Sequence, residues 1–221
     1  MKKLFDKFFY NTWNIGFVES SVEDILKSSN VELKVNWLKH CYKDRFFADP
    51  FILNIDNENI KVLVEDYPYY KKKGEISLLV IDRKTYELKD RKVVLEQPYH
   101  MSYPFIFWKN DGTFWVAPEA SQSGKLFCYV MNKEDNRLVD QRILLDKPAL
   151  DSTIIKYNGK YWLFCTFRGA DSNRCLNVFY SDFADGPWLP HKKNPVVTSL
   201  TMSRPAGYMT EFDGIVFRVT Q

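Results

Sequence analysis

The chain repeats itself, and the repeat constrains its fold more than any other feature. Four segments open on a short motif, pass a polar turn and continue into an apolar run. The first is Asp49-Pro50-Phe51-Ile52-Leu53, with a turn at 56–59 and then Val62-Leu63-Val64-Glu65. The second is Tyr103-Pro104-Phe105-Ile106-Phe107, with the turn Asn110-Asp111-Gly112 and then Phe114-Trp115-Val116-Ala117-Pro118-Glu119. The third runs Asp151-Ser152-Thr153-Ile154-Ile155, Asn158-Gly159, Tyr161-Trp162-Leu163-Phe164, and the fourth Arg204-Pro205-Ala206-Gly207, Asp213-Gly214, Ile215-Val216-Phe217. Their openings at 49, 103, 151 and 204 lie 54, 48 and 53 residues apart. Asn-Gly and Asp-Gly between apolar runs signal two-residue hairpins, because a type I′ turn needs positive φ at both central residues.

A third apolar run follows at 76–81, 126–130 and 176–180, and the first two repeats add a fourth at 92–95 and 142–145. Four strands in about fifty residues is the period of a propeller blade. The expected fold is all-β, a five-bladed β-propeller with about four repeats visible and the last incomplete. A meandering sandwich is the competing arrangement. Residues 1–40 read as a strand and a short helix, and residues 41–221 as the blades. The strand is expected over 12–17. The helix is signalled by Ser21-Val22-Glu23-Asp24, a hydroxyl three residues before an acid, ahead of Ile25-Leu26. The fourth repeat ends after its second strand, so the sequence predicts a piece of a longer protein with an unpaired edge prone to association.

The charge balance is +3, from 31 basic and 28 acidic residues, too weak to point to nucleic acid. Aromatic residues make up 16% of the chain, which suits pleated sheets and sugar-stacking surfaces alike. Cys41, Cys128, Cys165 and Cys175 form no CxxC pair and show no metal spacing with His40, His100 or His191, so neither a zinc site nor a disulfide framework is expected. No cofactor is expected. Residues 1–5 begin like a signal peptide, but Asp6 and Lys7 interrupt them and no apolar core follows. No segment approaches the roughly eighteen apolar residues of a membrane span. A cytoplasmic protein is the expectation.

Candidate functional residues follow from the repeat. The first strand of each propeller blade lines the axis, so Asp49, Tyr103, Asp151 and Arg204 are expected to converge there. Glu65, Asp66 and Glu119 end hairpins beside apolar strands, where a carboxylate must be paired or poised over a pocket. His100 sits at the entrance to the second repeat. No Gly-rich phosphate loop, GxSxG elbow or HExxH is present.

The stretch Phe46-Phe47-Ala48-Asp49-Pro50-Phe51 resembles the opening motif of the glycosidase clan that includes arabinanases, β-xylosidases and invertase-like enzymes. The ordered series FFADPF, SYPFIF, PEAS, YNGKYWLF, GPWLPH-KKNPV and SRPAG more closely resembles the N-terminal propeller domain of glucosamine inositolphosphorylceramide transferase-like proteins, over roughly residues 10–221. Bacterial members of that group occur in surface-polysaccharide contexts, some joined to a formyltransferase-like domain. The resemblance implies that Asp49 stands at the clan's general base and Asp151 at its second, substrate-orienting aspartate. The clan's general acid, a glutamate, has no counterpart in Ser203-Arg204-Pro205-Ala206-Gly207.

Hydrolysis needs two carboxyls, one protonated and one ionised. An Arg at the acid's place suits an anion instead. The expected function is therefore a carbohydrate-binding or accessory domain of a glycan-modifying or glycosyl-transferring protein. Its ligand would be a glycan or a sugar-containing anion, and its partner a fused or separate transferase domain. Two alternatives stay open: a glycoside hydrolase with Asp49 as base and Glu119 as acid, and a scaffold for protein interactions. The substrate-binding set is expected to be Glu65, Asp66, His100, Tyr103 and Arg204.

Overall fold

The structure, a computed structural model, describes residues 12–28, 32–109, 113–132 and 134–221. The turn expected at 110–112 and the leader-like residues 1–5 lie outside the described residues. Among the described residues the protein is all-β, with one short α-helix and one 3₁₀ turn.

Three antiparallel meanders follow one another. The first sheet comprises β3 (Arg45–Ile55), β4 (Asn59–Pro68), β5 (Glu75–Asp82) and β6 (Leu88–Leu95), in that spatial order. The second comprises β7 (Ser102–Trp108), β8 (Phe114–Glu119), β9 (Leu126–Met131) and β10 (Leu138–Leu145), again in order. The third runs β11 (Ala149–Tyr157), β12 (Lys160–Phe167), β13 (Cys175–Ser181) and then the two-residue β14 (Leu189–Pro190), with β15 (Val197–Thr198) also on β13. A hairpin of β16 (Pro205–Phe212) and β17 (Ile215–Thr220) completes the described chain.

The turns are the ones the sequence dictates. Asn158-Gly159 and Asp213-Gly214 all have positive φ, from 49° to 75°, as a type I′ turn requires. In the first sheet the Asp56 carboxylate accepts from the main-chain N–H groups of Glu58 and Asn59 at 2.9 and 2.8 Å. In the third sheet the stunted fourth strand is replaced in part by Asn194. Its side-chain amide exchanges two 2.8 Å hydrogen bonds with the main chain of Val178, as a paired residue would.

Alternation along the strands sets the core. In β4 and β5, Leu63, Ile76 and Leu78 face the second sheet and join a large cluster with Phe105, Val116 and Leu163. Val62, Val64, Leu79 and Ile81 face the other way and are covered by Ile15 and Leu38 from the N-terminal arm. Each such burial stabilises the fold by roughly 1.5–3 kcal/mol. The opening strands pack side by side, β7 against β3 and β11, and β11 against β16. Side chains stitch them together. Tyr103 Oη and Thr153 Oγ1 are 2.9 Å apart, Thr153 Oγ1 donates to the Gly207 carbonyl at 3.3 Å, and Tyr208 Oη donates to the Ile106 carbonyl at 3.0 Å.

The arm differs from the expected strand over 12–17. Only Gly16–Phe17 (β1) pairs, with Asn36–Trp37 (β2). The Asn14 side chain takes over the pairing before it, accepting from Ile15 N at 2.9 Å and donating to the Leu38 carbonyl at 3.0 Å. The helix α1 (Val22–Lys27) forms where expected, with the Ser21 hydroxyl accepting from Asp24 N at 3.0 Å. No helix among the described residues is long and apolar enough to cross a membrane. The four cysteines are free thiols.

Candidate functional site

The site is built on a backbone irregularity that recurs in three sheets. The ladder slips between Ala48 and Phe51, between Ser102 and Phe105, and between Leu150 and Thr153. At each slip one residue adopts left-handed backbone: Asp49 at φ 49°, Tyr103 at 44° and Asp151 at 46°. Such bulges re-aim a side chain and leave main-chain groups without ladder partners. Here carboxylates supply those partners. Tyr103 N donates to Asp49 Oδ2 at 3.2 Å, and Asp151 N to Glu119 Oε2 at 3.3 Å.

The fourth repeat departs from the alignment read from sequence. In β16 the slip falls between Pro205 and Met209, with Gly207 at φ 148°. Arg204 therefore precedes its strand and its bulge, and is not the structural equivalent of Asp49. Its guanidinium nonetheless reaches the same place. Nε donates to Asp151 Oδ2, Nη1 to Asn173 Oδ1 at 3.2 Å, and Nη2 lies 3.9 Å from Glu119 Oε2. Gln221 adds a 3.1 Å hydrogen bond to Asp151. The guanidinium that the sequence offers to an anionic ligand also serves as the counter-charge of buried Asp151.

A cavity of about 550 Å³ opens over these groups, within the usual range of ligand sites. Asp49, Glu65, Arg204 and Gln221 line it, together with Phe46 and Pro50 of β3 and Trp13 and Gly16 of the arm. Glu65 is only 7% exposed. Burial, then the charges of Asp49 and Glu119, pushes its carboxyl up to about 8. Burial and the nearby Asp151 raise Asp49 to about 6. Glu119 is raised too, by burial first and then by Asp151. Both of its oxygens are engaged, one accepting from Ser121 Oγ at 3.0 Å and the other from Asp151 N.

The other expected residues are distributed as follows. His100 stands behind Glu65, with Nε2 3.6 Å from Glu65 Oε1 and Nδ1 accepting from Gly74 N at 2.9 Å. Burial and then Arg168 lower its pKa, so the neutral ring faces the acid. That approach requires glycine at 74, where a Cβ would lie 2.3 Å from the Met101 carbonyl oxygen. Tyr103 is buried against Phe51 and Thr153, and burial raises its hydroxyl pKa. Asp66 is not brought into the group. It follows Glu65 in the strand and so faces the opposite side. There it receives Arg45 Nη1 at 3.2 Å, Ser77 Oγ at 2.7 Å and Arg91 Nε. Trp13, Phe46 and Gln221 are among the cavity residues that the sequence did not single out. Among the described residues no cluster of three or more His, Cys, Asp or Glu side chains could hold a metal ion.

Two kinds of likeness to known proteins accompany this geometry. Residues 32–221 match the family described as glucosamine inositolphosphorylceramide transferase 1, N-terminal. The chain belongs to that family. A relative of that name from Oryza sativa subsp. japonica is 30% identical over 187 residues, covering 81% of this chain and 25% of its own length. The chain thus spans about a quarter of the length of such relatives. Its fold is shared with glycoside hydrolases. A thermostable family-43 glycoside hydrolase superposes with a TM-score of 0.59 at 13% identity, covering 85% of this chain and 81% of the enzyme. An exo-β-1,3-galactanase from Phanerochaete chrysosporium with β-1,3-galactotriose gives a TM-score of 0.63 at 11% identity, covering 85% of this chain and 47% of the enzyme. At these identities the fold is what is shared.

Proposed function

We propose that this member of the transferase N-terminal family is a carbohydrate-binding accessory domain that recognises a sugar without cleaving it. In this reading the successive sheets are blades of a five-bladed propeller and the cavity is its axial pocket. The wider protein would transfer or modify sugars in glycolipid or surface-polysaccharide biosynthesis, in keeping with the name its relatives carry.

One observation carries the non-hydrolytic reading. Glu119, the candidate acid, has both oxygens held and Arg204 within 3.9 Å, and it is not among the residues lining the cavity. A general acid must present its proton to the leaving oxygen. Asp49 and Glu65 do line the cavity, where an ionised Asp49 accepts strong hydrogen bonds from sugar hydroxyls and a protonated Glu65 can both donate and accept. A printed glycan array probed with the 221-residue chain and with Asp49→Asn tests this. Glycans retained by the parent chain and lost by the variant support the proposal. Retention of the same glycans by both overturns it.

A further inference from the structure

We infer that Trp13, carried on the N-terminal arm, is a stacking platform for a second sugar ring, so that the pocket takes an oligosaccharide rather than a single sugar. The inference rests on the carbohydrate reading of the cavity and adds a subsite to it.

Trp13 is 63% exposed, yet it stands on fixed backbone. The next two residues are anchored, Asn14 through its bond to the Leu38 carbonyl and Ile15 through burial and a 2.9 Å hydrogen bond from Leu38 N. A large indole is thereby held out over the same cavity that Asp49 and Glu65 line. Gly16 extends the arm's wall, and the Trp37 ring lies so close to it that a Cβ there would be 3.3 Å from the indole. This wall, residues 13–16, carries no ionisable side chain. The strands β3 and β4 carry the two carboxyls that line the same cavity.

Such a division suits one ligand chemistry. A sugar ring has hydroxyls at its rim and C–H groups on its faces, so carboxyl groups, ionised or protonated, take the first and an indole covers the second. An aliphatic chain would leave Asp49 and Glu65 desolvated without hydrogen bonds, which is costly.

The test is calorimetric titration of the full chain with an array-positive oligosaccharide and with the monosaccharide of its terminal unit. Trp13→Ala is expected to weaken the oligosaccharide about tenfold and leave the monosaccharide within about twofold. Trp13→Phe is expected to restore most of the loss. An unchanged oligosaccharide affinity in Trp13→Ala, or an equal loss for both ligands, overturns the inference. Asp49→Asn separates the two claims: it should weaken both ligands alike, and if it weakens neither, the carbohydrate reading of the cavity fails instead. An unchanged circular dichroism spectrum and melting temperature for Trp13→Ala exclude misfolding as the cause.

Discussion

The main-chain N–H of Tyr103 donates to the carboxylate of Asp49, 54 residues earlier, at 3.2 Å. Both residues sit in left-handed backbone at the bulge that opens their own sheet. Asp49 thus has two tasks. One oxygen satisfies a buried donor of the next sheet, and the residue also lines the cavity. Glu119 does the first task for Asp151 N. The acidic character of this centre is in part the means by which bulged strands are joined.

Separating those tasks by substitution is straightforward. Asp49→Asn keeps an acceptor oxygen for Tyr103 N and should unfold within about 1 kcal/mol of the parent chain. Asp49→Ala removes it and should cost roughly 1–3 kcal/mol, the penalty of an unsatisfied buried donor. Urea unfolding of the two variants measures the difference; equal stabilities would remove the structural role assigned to Asp49.

Arg204 is predicted to be a stability residue. Buried Asp151 has Arg204 as its cationic partner, with Gln221 adding one neutral donor. Replacing Arg204 with Met strands that charge and should destabilise the fold by about 3 kcal/mol. Adding Asp151→Asn to the Met variant should recover part of the loss. A Met variant as stable as the parent would contradict the pairing.

The raised carboxyl of Glu65 gives a pH signature whose sign is fixed. Its folded value of about 8 lies above the unfolded value, so the folded state binds the extra proton. Stability from this group is therefore complete below about pH 4, the unfolded glutamate value, and falls as pH climbs toward 8. Glu65→Gln removes that dependence. Its stability relative to the parent should rise from pH 5 to pH 8 by an amount on the order of 2 kcal/mol. Parallel melting curves for the two chains across that range would rule out a buried protonated Glu65.

Strand β17 pairs with β16 alone among the described residues, and its Ile215, Phe217 and Val219 side chains are exposed on one face. Unpaired apolar edges recruit other strands. The mass measured by light scattering should grow with concentration, and Val219→Lys should reduce that growth. A constant monomer mass up to high concentration would show the edge to be protected.

Much of this fold is legible in the sequence because it is written in local chemistry. Asn158-Gly159 and Asp213-Gly214 name their turns, and the runs at 76–81 and 126–130 name third strands. The phase of the fourth repeat is not legible that way. Proline follows Asp49, Tyr103 and Arg204 alike, but the bulge of β16 is set by Gly207. The facing of Glu65 and Asp66 was likewise hidden. Alternation says that they diverge, yet only the packed sheet reveals which one meets the cavity. Trp13 belongs to no repeat, so no period could single it out.

Calorimetric titration of an array-positive glycan into the chain and into Asp49→Asn, with the recovered glycan analysed for cleavage, reads binding and chemistry together. Binding by the parent chain, at least tenfold weaker binding by the variant and a glycan recovered intact are the predicted results. Undiminished binding by Asp49→Asn, or turnover in the ordinary enzyme range of about 1–10³ per second, would contradict a non-hydrolytic sugar site at this cavity.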